Sequence, residues 1–179
     1  MTAQLLTDDL AATIAAVQEN LRQPDADTHV TFAAETTLAE GYRVAARVRD
    51  FEFASDEPPS IGGTDAGPTP VELVLTGLAA CQEIVYATYA RVLGVPLDSV
   101  SVRAEGLLDL RGFYGVADVP AGFEQVTYSV DIESPAPVTD ISRLIAAVDA
   151  HCPVLDIIRA PIRVDSAYRL NGIELTPAD

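Results

Sequence analysis

Residues 67–93, GPTPVELVLTGLAACQEIVYATYARVL, decide how this chain folds. From Val71 to Leu93 the stretch reads as one helix of about six turns. It is apolar nearly all the way round, through Val71, Leu73, Val74, Leu75, Leu78, Ile84, Val85, Tyr86 and Val92. Glu72, Glu83 and Arg91 leave it no continuous polar face. A helix of this kind is expected to be wrapped by other elements in a core rather than laid on a surface. Cys81, one of two cysteines in the protein, stands in its middle.

Composition narrows what surrounds that helix. The 179 residues suffice for one domain with a sizeable core. Apolar residues make up 49% of the chain and Trp is absent, so the core is built from Val, Leu, Ile and Ala. Eleven basic against 27 acidic residues give a net charge of −16, which argues against nucleic acid and anionic membrane as partners. Every basic residue is Arg, which excludes lysine Schiff-base chemistry. No stretch is read as a membrane span, and the acidic Asp8 and Asp9 do not fit a secretory signal. Two cysteines without such a signal point to the cytoplasm, where thiols are more often catalytic, redox-active or inert than structural disulfides.

Around the central helix the chain alternates between the two periods. Thr7 is placed to cap a helix to about Arg22, whose stripe is Leu6, Leu10, Ile14, Val17 and Leu21. Residues 23–28 form a linker, so residues 1–27 read as an extension and 28–179 as the domain. Strands are expected at His29–Leu38, Tyr42–Asp50 and Phe51–Ala54. On the second strand Arg43, Ala45, Arg47 and Arg49 would share a face. That face is either solvated or holds a guanidinium near an acidic or thiolate site. Ser55–Pro70, with four Pro and three Gly, is a loop. Pro70 suits the first helical position and Glu72 its positive first turn.

Beyond Gly94 the period is two. Ser99–Arg111 and Glu124–Glu133 read as strands, the second with Val126, Tyr128, Val130 and Ile132 inward. Thr139 is expected to cap a further helix with Ile141, Leu144, Ile145 and Val148 buried. Cys152 continues that buried face, Pro153 ends or kinks the helix, and a short turn Val154–Arg159 follows. Ile162–Leu170 reads as the last strand and Asn171–Asp179 as a tail. The fold class is α+β, an antiparallel sheet packed on two helices.

Both thiols thus fall on or near buried helix faces, and side-by-side packing of the two helices could place them within disulfide range. Peroxide chemistry needs a thiolate, access and a second thiol. Burial raises a thiol's pKa, so Cys81 needs help, and an Arg from another element is the natural source. The plain alternative is that both cysteines are small core hydrophobes. A metal site from Cys81, Cys152 and His151 matches no compact zinc spacing. A Cys–His pair through His151 has little support. No cofactor is called for.

The run DEPPSIGGTDAGPTPVELVLTGLAAC, then RGFYGVADVPAGFEQVTYSVDIESPA, then DAHCPVLDIIRAP, resembles the OsmC-like family, which includes the organic hydroperoxide resistance proteins. The resemblance spans roughly residues 28–170. It rests on a Pro-x-Glu-Leu helix start, a Gly-x-x-x-Cys on the central helix and a His-Cys-Pro-Val after the second helix. It implies an intertwined homodimer in which sheets enclose a long central helix. It implies Cys81 as the peroxide-attacking thiol, Cys152 as the resolving thiol and Glu72 as an acidic residue of the catalytic set. The implied reaction reduces organic hydroperoxides through a Cys81 sulfenic acid and a Cys81–Cys152 disulfide, reset by a dithiol reductant that could be lipoyl-like. In the family's peroxidase branches a Glu directly follows the helix-opening Pro, whereas here Val71 intervenes. A non-catalytic small-ligand-binding or redox-sensing module is the alternative on the same scaffold.

Overall fold

The computed structural model describes residues 7–176. The chain runs α1 (Asp8–Leu21), β1 (Glu35–Glu40), β2 (Arg43–Val48), β3 (Phe51–Ser55), a 3₁₀ turn (Pro59–Ile61) and α2 (Pro70–Leu93). It continues through β4 (Ser99–Leu108), α3 (Leu110–Phe113), β5 (Phe123–Glu133), α4 (Val138–His151), α5 (Pro153–Arg159), β6 (Tyr168–Leu170) and β7 (Ile173–Leu175). The fold is α+β, with antiparallel sheets β1–β2–β3, β4–β5 and β6–β7.

The core lies where α2, α4 and α5 meet the inner face of β4–β5. Leu78, Val85, Tyr86 and Ala90 of α2 join Leu144 and Val148 of α4, Cys152 and Leu155. From the sheet, Val126, Tyr128, Val130 and Ile132 pack against them, which is the alternation expected of β5. Glu83 Oε1 accepts the Val102 backbone N–H at 3.2 Å, tying α2 to β4.

α2 departs from expectation in two ways. First, the rest of the chain does not wrap it on all sides. Leu78, Gln82, Val85, Tyr86 and Ala90 are buried. Ile84, by contrast, is 66% exposed, and Val71, Val74 and Val92 are exposed with it. Second, at 24 residues it is long and apolar enough to cross a membrane by length and composition, contrary to the reading that no stretch is. Its inner stripe nevertheless packs on α4 and β4 as a core helix does.

Other differences have local causes. Expected pairing from His29 begins at Glu35, leaving Phe32 91% exposed. Arg49 does not share the face of β2. It occupies the β2–β3 turn at φ 56°, with its guanidinium over the Phe51 ring at 5.1 Å. α4 starts one residue before Thr139, and Pro137 caps it without a side-chain hydrogen bond. The Pro137 carbonyl instead accepts from the N–H groups of Asp140 and Ile141. The strand from Ile162 shortens to Tyr168–Leu170, and part of the expected tail pairs back on it as β7. Asn171 and Gly172, both at positive φ, make that turn. Thr7 caps α1 as expected, its Oγ1 accepting from Leu10 N–H at 3.3 Å. Leu6, the first residue of the expected stripe, lies outside the described residues.

Candidate functional site

The 14-residue connection between β3 and α2 is built around one carboxylate. Asp56 accepts from Glu57 N–H at 2.8 Å, Thr64 N–H at 2.9 Å and Ala66 N–H at 3.3 Å, and from the Thr64 hydroxyl. The Thr64 hydroxyl, with the backbone donors, holds the Asp56 carboxyl down at about 2. Ser55 Oγ donates to the Pro68 carbonyl at 2.8 Å, pinning the loop's two ends together. The chain then enters α2 through a capping box. Thr69 Oγ1 accepts from Glu72 N–H at 3.3 Å, and Glu72 Oε2 accepts from Thr69 N–H at 2.8 Å.

This fixed start sets the phase of α2, which carries Cys81 towards the junction of α4 and α5. There Cys152 is at once the C-cap of α4 and the N-cap of α5. Its φ of −81° and ψ of 109° break the helix, because Pro153 disfavours helical geometry in the residue before it. The Asp156 N–H donates to the Cys152 carbonyl at 3.0 Å and starts the new helix. The two sulfurs lie 3.4 Å apart, both reduced, with Cys81 half-buried and Cys152 buried.

Burial pushes the Cys81 thiol up, and Cys152 beside it pushes the same way. The Val154 N–H, in the first turn of α5, donates to the sulfur and opposes them. Among the described residues no guanidinium acts on this thiol. Arg43 and Arg47, the candidates from β2, face Glu40 at 3.7 Å and Glu35 at 2.5 Å. An open concavity of about 540 Å³ on the β1–β3 sheet is lined by both arginines with Glu35, Glu52 and Phe53, and neither cysteine borders it.

The structure therefore brings Cys81 and Cys152 together and does not bring Glu72 to them. Glu72 is nine residues before Cys81 on a regular helix, about 13 Å along the axis and on the opposite side. His151 is turned to other partners. Its ring lies 4.7 Å from that of Tyr89, and its Nδ1–H donates to the Ala147 carbonyl at 2.8 Å. Two polar features of this end of the core had no role in the sequence reading: the Val154 N–H beside Cys81 and the bond between Tyr128 and Asp149. Tyr128 OH donates to Asp149 Oδ1 at 3.0 Å across 21 residues, a separation that no local pattern announces. The His-Cys-Pro-Val run did carry a signal for Val154, since a Pro at the first helical position places the next N–H at an open helix start.

A thiol pair bridging a long core helix and a helix–helix junction defines a class of α+β dithiol proteins. A sequence model of OsmC-like proteins matches residues 63–167, and the chain belongs to this family. Solved structures share the fold. An OsmC-like protein from Mycoplasma pneumoniae is 20% identical, with a TM-score of 0.65 over 75% of this chain and 91% of that one. An organic hydroperoxide resistance protein OsmC from Legionella pneumophila is 24% identical, with a TM-score of 0.58 over 74% and 92%. An organic hydroperoxide resistance protein from Elizabethkingia anophelis, with thiocyanate bound, is 19% identical, with a TM-score of 0.56 over 75% and 92%. Among curated proteins, none matches the chain.

Proposed function

We propose that this protein is a thiol-dependent reductase of organic hydroperoxides. The observation that carries the reading is the 3.4 Å approach of Cys81 and Cys152 at a helix junction. The Cys81 thiolate attacks the peroxide, the O–O bond breaks, and the alkoxide takes up a proton as the alcohol leaves. Cys81 is then a sulfenic acid. Cys152 attacks that sulfur, the S–O bond breaks and water departs. The sulfurs close from 3.4 Å to about 2.05 Å, a short movement for a thiol in mid-helix and one at a helix bend. A dithiol reductant returns the pair to thiols by exchange, taking the disulfide itself. Glu72 belongs to the capping box in this reading and acts on the reaction through the start of α2.

The active unit in this proposal is a homodimer. The exposed apolar side of α2 supports it, and so does a Cys81 on which no cation acts among the described residues. Residues 28–179 form the dimerising domain and residues 1–27 an extension of it. The working compartment is the cytoplasm, and neither nucleic acid nor membrane is a partner.

A second reading keeps the scaffold without the peroxidase step, as a small-ligand-binding or redox-sensing module. The upward push on Cys81 favours it. Pre-reduced protein and one equivalent of cumene hydroperoxide separate the two. The reductase loses both thiols and about two mass units within minutes, and neither Cys81→Ser nor Cys152→Ser does so. Two thiols that stay intact, beside a reactive control peroxidase, establish the binding module.

A further inference from the structure

The two reduced sulfurs stand 3.4 Å apart, a separation with a chemical meaning of its own. Cys81 is fixed in the middle of α2 and Cys152 at the bend between α4 and α5, so backbone elements rather than a loop hold both thiols. A rigid pair of soft donors selects an element by the bite that element demands. Trivalent arsenic is pyramidal: As–S bonds of about 2.25 Å meeting at about 100° place two sulfurs about 3.4–3.5 Å apart. Divalent mercury prefers its two sulfurs in line, about 4.7 Å apart. Divalent zinc takes a tetrahedron of four ligands. Among the described residues no three His, Cys, Asp or Glu side chains are grouped to hold a metal ion. His151, next to Cys152 in the chain, bonds to the Ala147 carbonyl and lies on the Tyr89 ring. The pair therefore offers two sulfurs and no third ligand, which suits an arsenic whose third bond is already made to carbon.

We propose that the reduced Cys81–Cys152 pair is a chelating site for monosubstituted trivalent arsenicals. Methylarsonous acid, with one As–C and two As–OH bonds, is the simplest of them. Each thiol condenses with one As–OH. Two S–H and two As–O bonds break, two As–S and two O–H bonds form, and two waters leave. Arsenic stays trivalent and both sulfurs stay reduced, so the step calls for no oxidant or reductant. The burial that pushes the Cys81 thiol up does not oppose it, because each thiol proton leaves on arsenic's own hydroxyl. Half-buried Cys81 makes the first As–S bond, and Cys152, 2% exposed, closes the chelate from behind. The methyl group then points outward on the side of Gly77 and Ile84, which flank Cys81 by about one helical turn each. A Cβ at Gly77 meets nothing within 4 Å and Ile84 is exposed, so this side has room for a methyl group. A chelated pair presents no free thiol to peroxide. The proposal needs the meeting of the two thiols and not the peroxidase reaction.

The test adds one equivalent of methylarsonous acid to the pre-reduced full chain, removes unbound reagent by desalting, and reads intact mass and free thiols. The parent is expected to gain one methylarsenic group, to lose two hydrogens and both titratable thiols, and to recover the thiols in excess dithiothreitol. Cys81→Ser and Cys152→Ser are expected to bind the arsenical at least about a hundredfold more weakly, because the second As–S bond of the parent forms within one molecule. Thermal melting confirms that both variants are folded. Either folded variant binding with the parental affinity overturns the chelate. So does a parent whose two thiols stay titratable beside a dithiol control peptide that takes up the reagent. A parent that takes the arsenical yet keeps both thiols with cumene hydroperoxide supports the site and overturns the peroxidase reading. A parent that loses both thiols to the peroxide yet never takes the arsenical overturns the site alone.

Discussion

Asp56 and Thr64 are joined twice, through the Thr64 N–H at 2.9 Å and through its hydroxyl, across eight residues of loop. This double bond to one carboxylate makes a Pro- and Gly-rich segment a fixed lead-in to α2. The Asp56 carboxyl is held at about 2, below its unfolded value of about 4. The folded state thus gains from the ionised form above about pH 4 and loses that gain as pH falls towards about 2. Asp56→Asn is expected to lower the melting temperature at pH 7 and to flatten its fall between about pH 4 and about pH 2. Melting curves across that window check it. A variant with the parental acid slope would show that Asp56 is not the group responsible.

Two glycines should respond in opposite directions. A Cβ at Gly67 would lie 2.1 Å from the Ala54 carbonyl oxygen, so Gly67→Ala must move backbone and is expected to destabilise the protein. A Cβ at Gly77 meets nothing within 4 Å, although Gly77 is one helical turn from Cys81. Gly77→Ala is expected to stabilise by about 0.5–1 kcal/mol through helix propensity alone. Denaturant titration of both variants measures the contrast. A Gly77→Ala protein that loses stability would show that another surface fills the space beside Cys81.

The capping box gives a test of what Glu72 does. Thr69→Ala removes the acceptor for Glu72 N–H and is expected to cost about 0.5–2 kcal/mol. Glu72→Gln keeps an oxygen for Thr69 N–H and is expected to cost less, while leaving the rate of thiol loss to cumene hydroperoxide unchanged. Stopped-flow peroxide consumption by this variant decides the matter. A large drop in rate with the fold intact would place the Glu72 charge in the reaction.

How much of this was legible follows from how local each feature is. The helix carrying Cys81 was legible because a long run that is apolar nearly all the way round follows a Pro suited to the first helical position. β5 was legible because Val126, Tyr128, Val130 and Ile132 alternate. The meeting of Cys81 and Cys152 was foreshadowed by both lying on buried faces. Two local signals went unused: Thr69-Pro-Val-Glu72 is a capping-box spacing, and Asn171-Gly172 is a strong hairpin turn. Val30 and Phe32 alternate as a strand would, yet no strand among the described residues pairs with them, because pairing depends on a partner and not on the pattern. The Asp56 cage and the Tyr128–Asp149 bond come from chain segments that meet only after folding, so no spacing encodes them.

Gln82 is fully buried beside Cys81, and neither of its amide atoms has a partner among the described residues. An unsatisfied buried amide costs about 1–3 kcal/mol. Gln82→Met, close in volume and without the amide, is therefore expected to raise stability by about 1 kcal/mol. Chemical denaturation of the variant measures this, and a loss of stability would show that the amide is satisfied in the assembled protein.

The alkaline limb of stability should belong in part to Tyr86. Its phenol is pushed up to about 12 by burial first, then by Asp149 and Tyr128, against about 10 in the unfolded chain. Above about pH 10 the unfolded chain releases this proton while the folded one keeps it. Stability therefore falls with rising pH between about 10 and about 12, the sign set by the protons held more tightly when folded. Cys81, also pushed up by burial, adds a loss that begins above the ordinary thiol pKa of about 8.5. Tyr86→Phe keeps the ring in the core and removes the ionisable oxygen. It is expected to melt near the parental temperature at pH 7 and to resist base better than the parent above about pH 10. The same comparison in a Cys81→Ser background isolates the phenol from the thiol. A Tyr86→Phe protein as base-labile as its parent there would mean that its phenol reaches solvent, and that the space between α2 and β5 is wetter than its burial indicates.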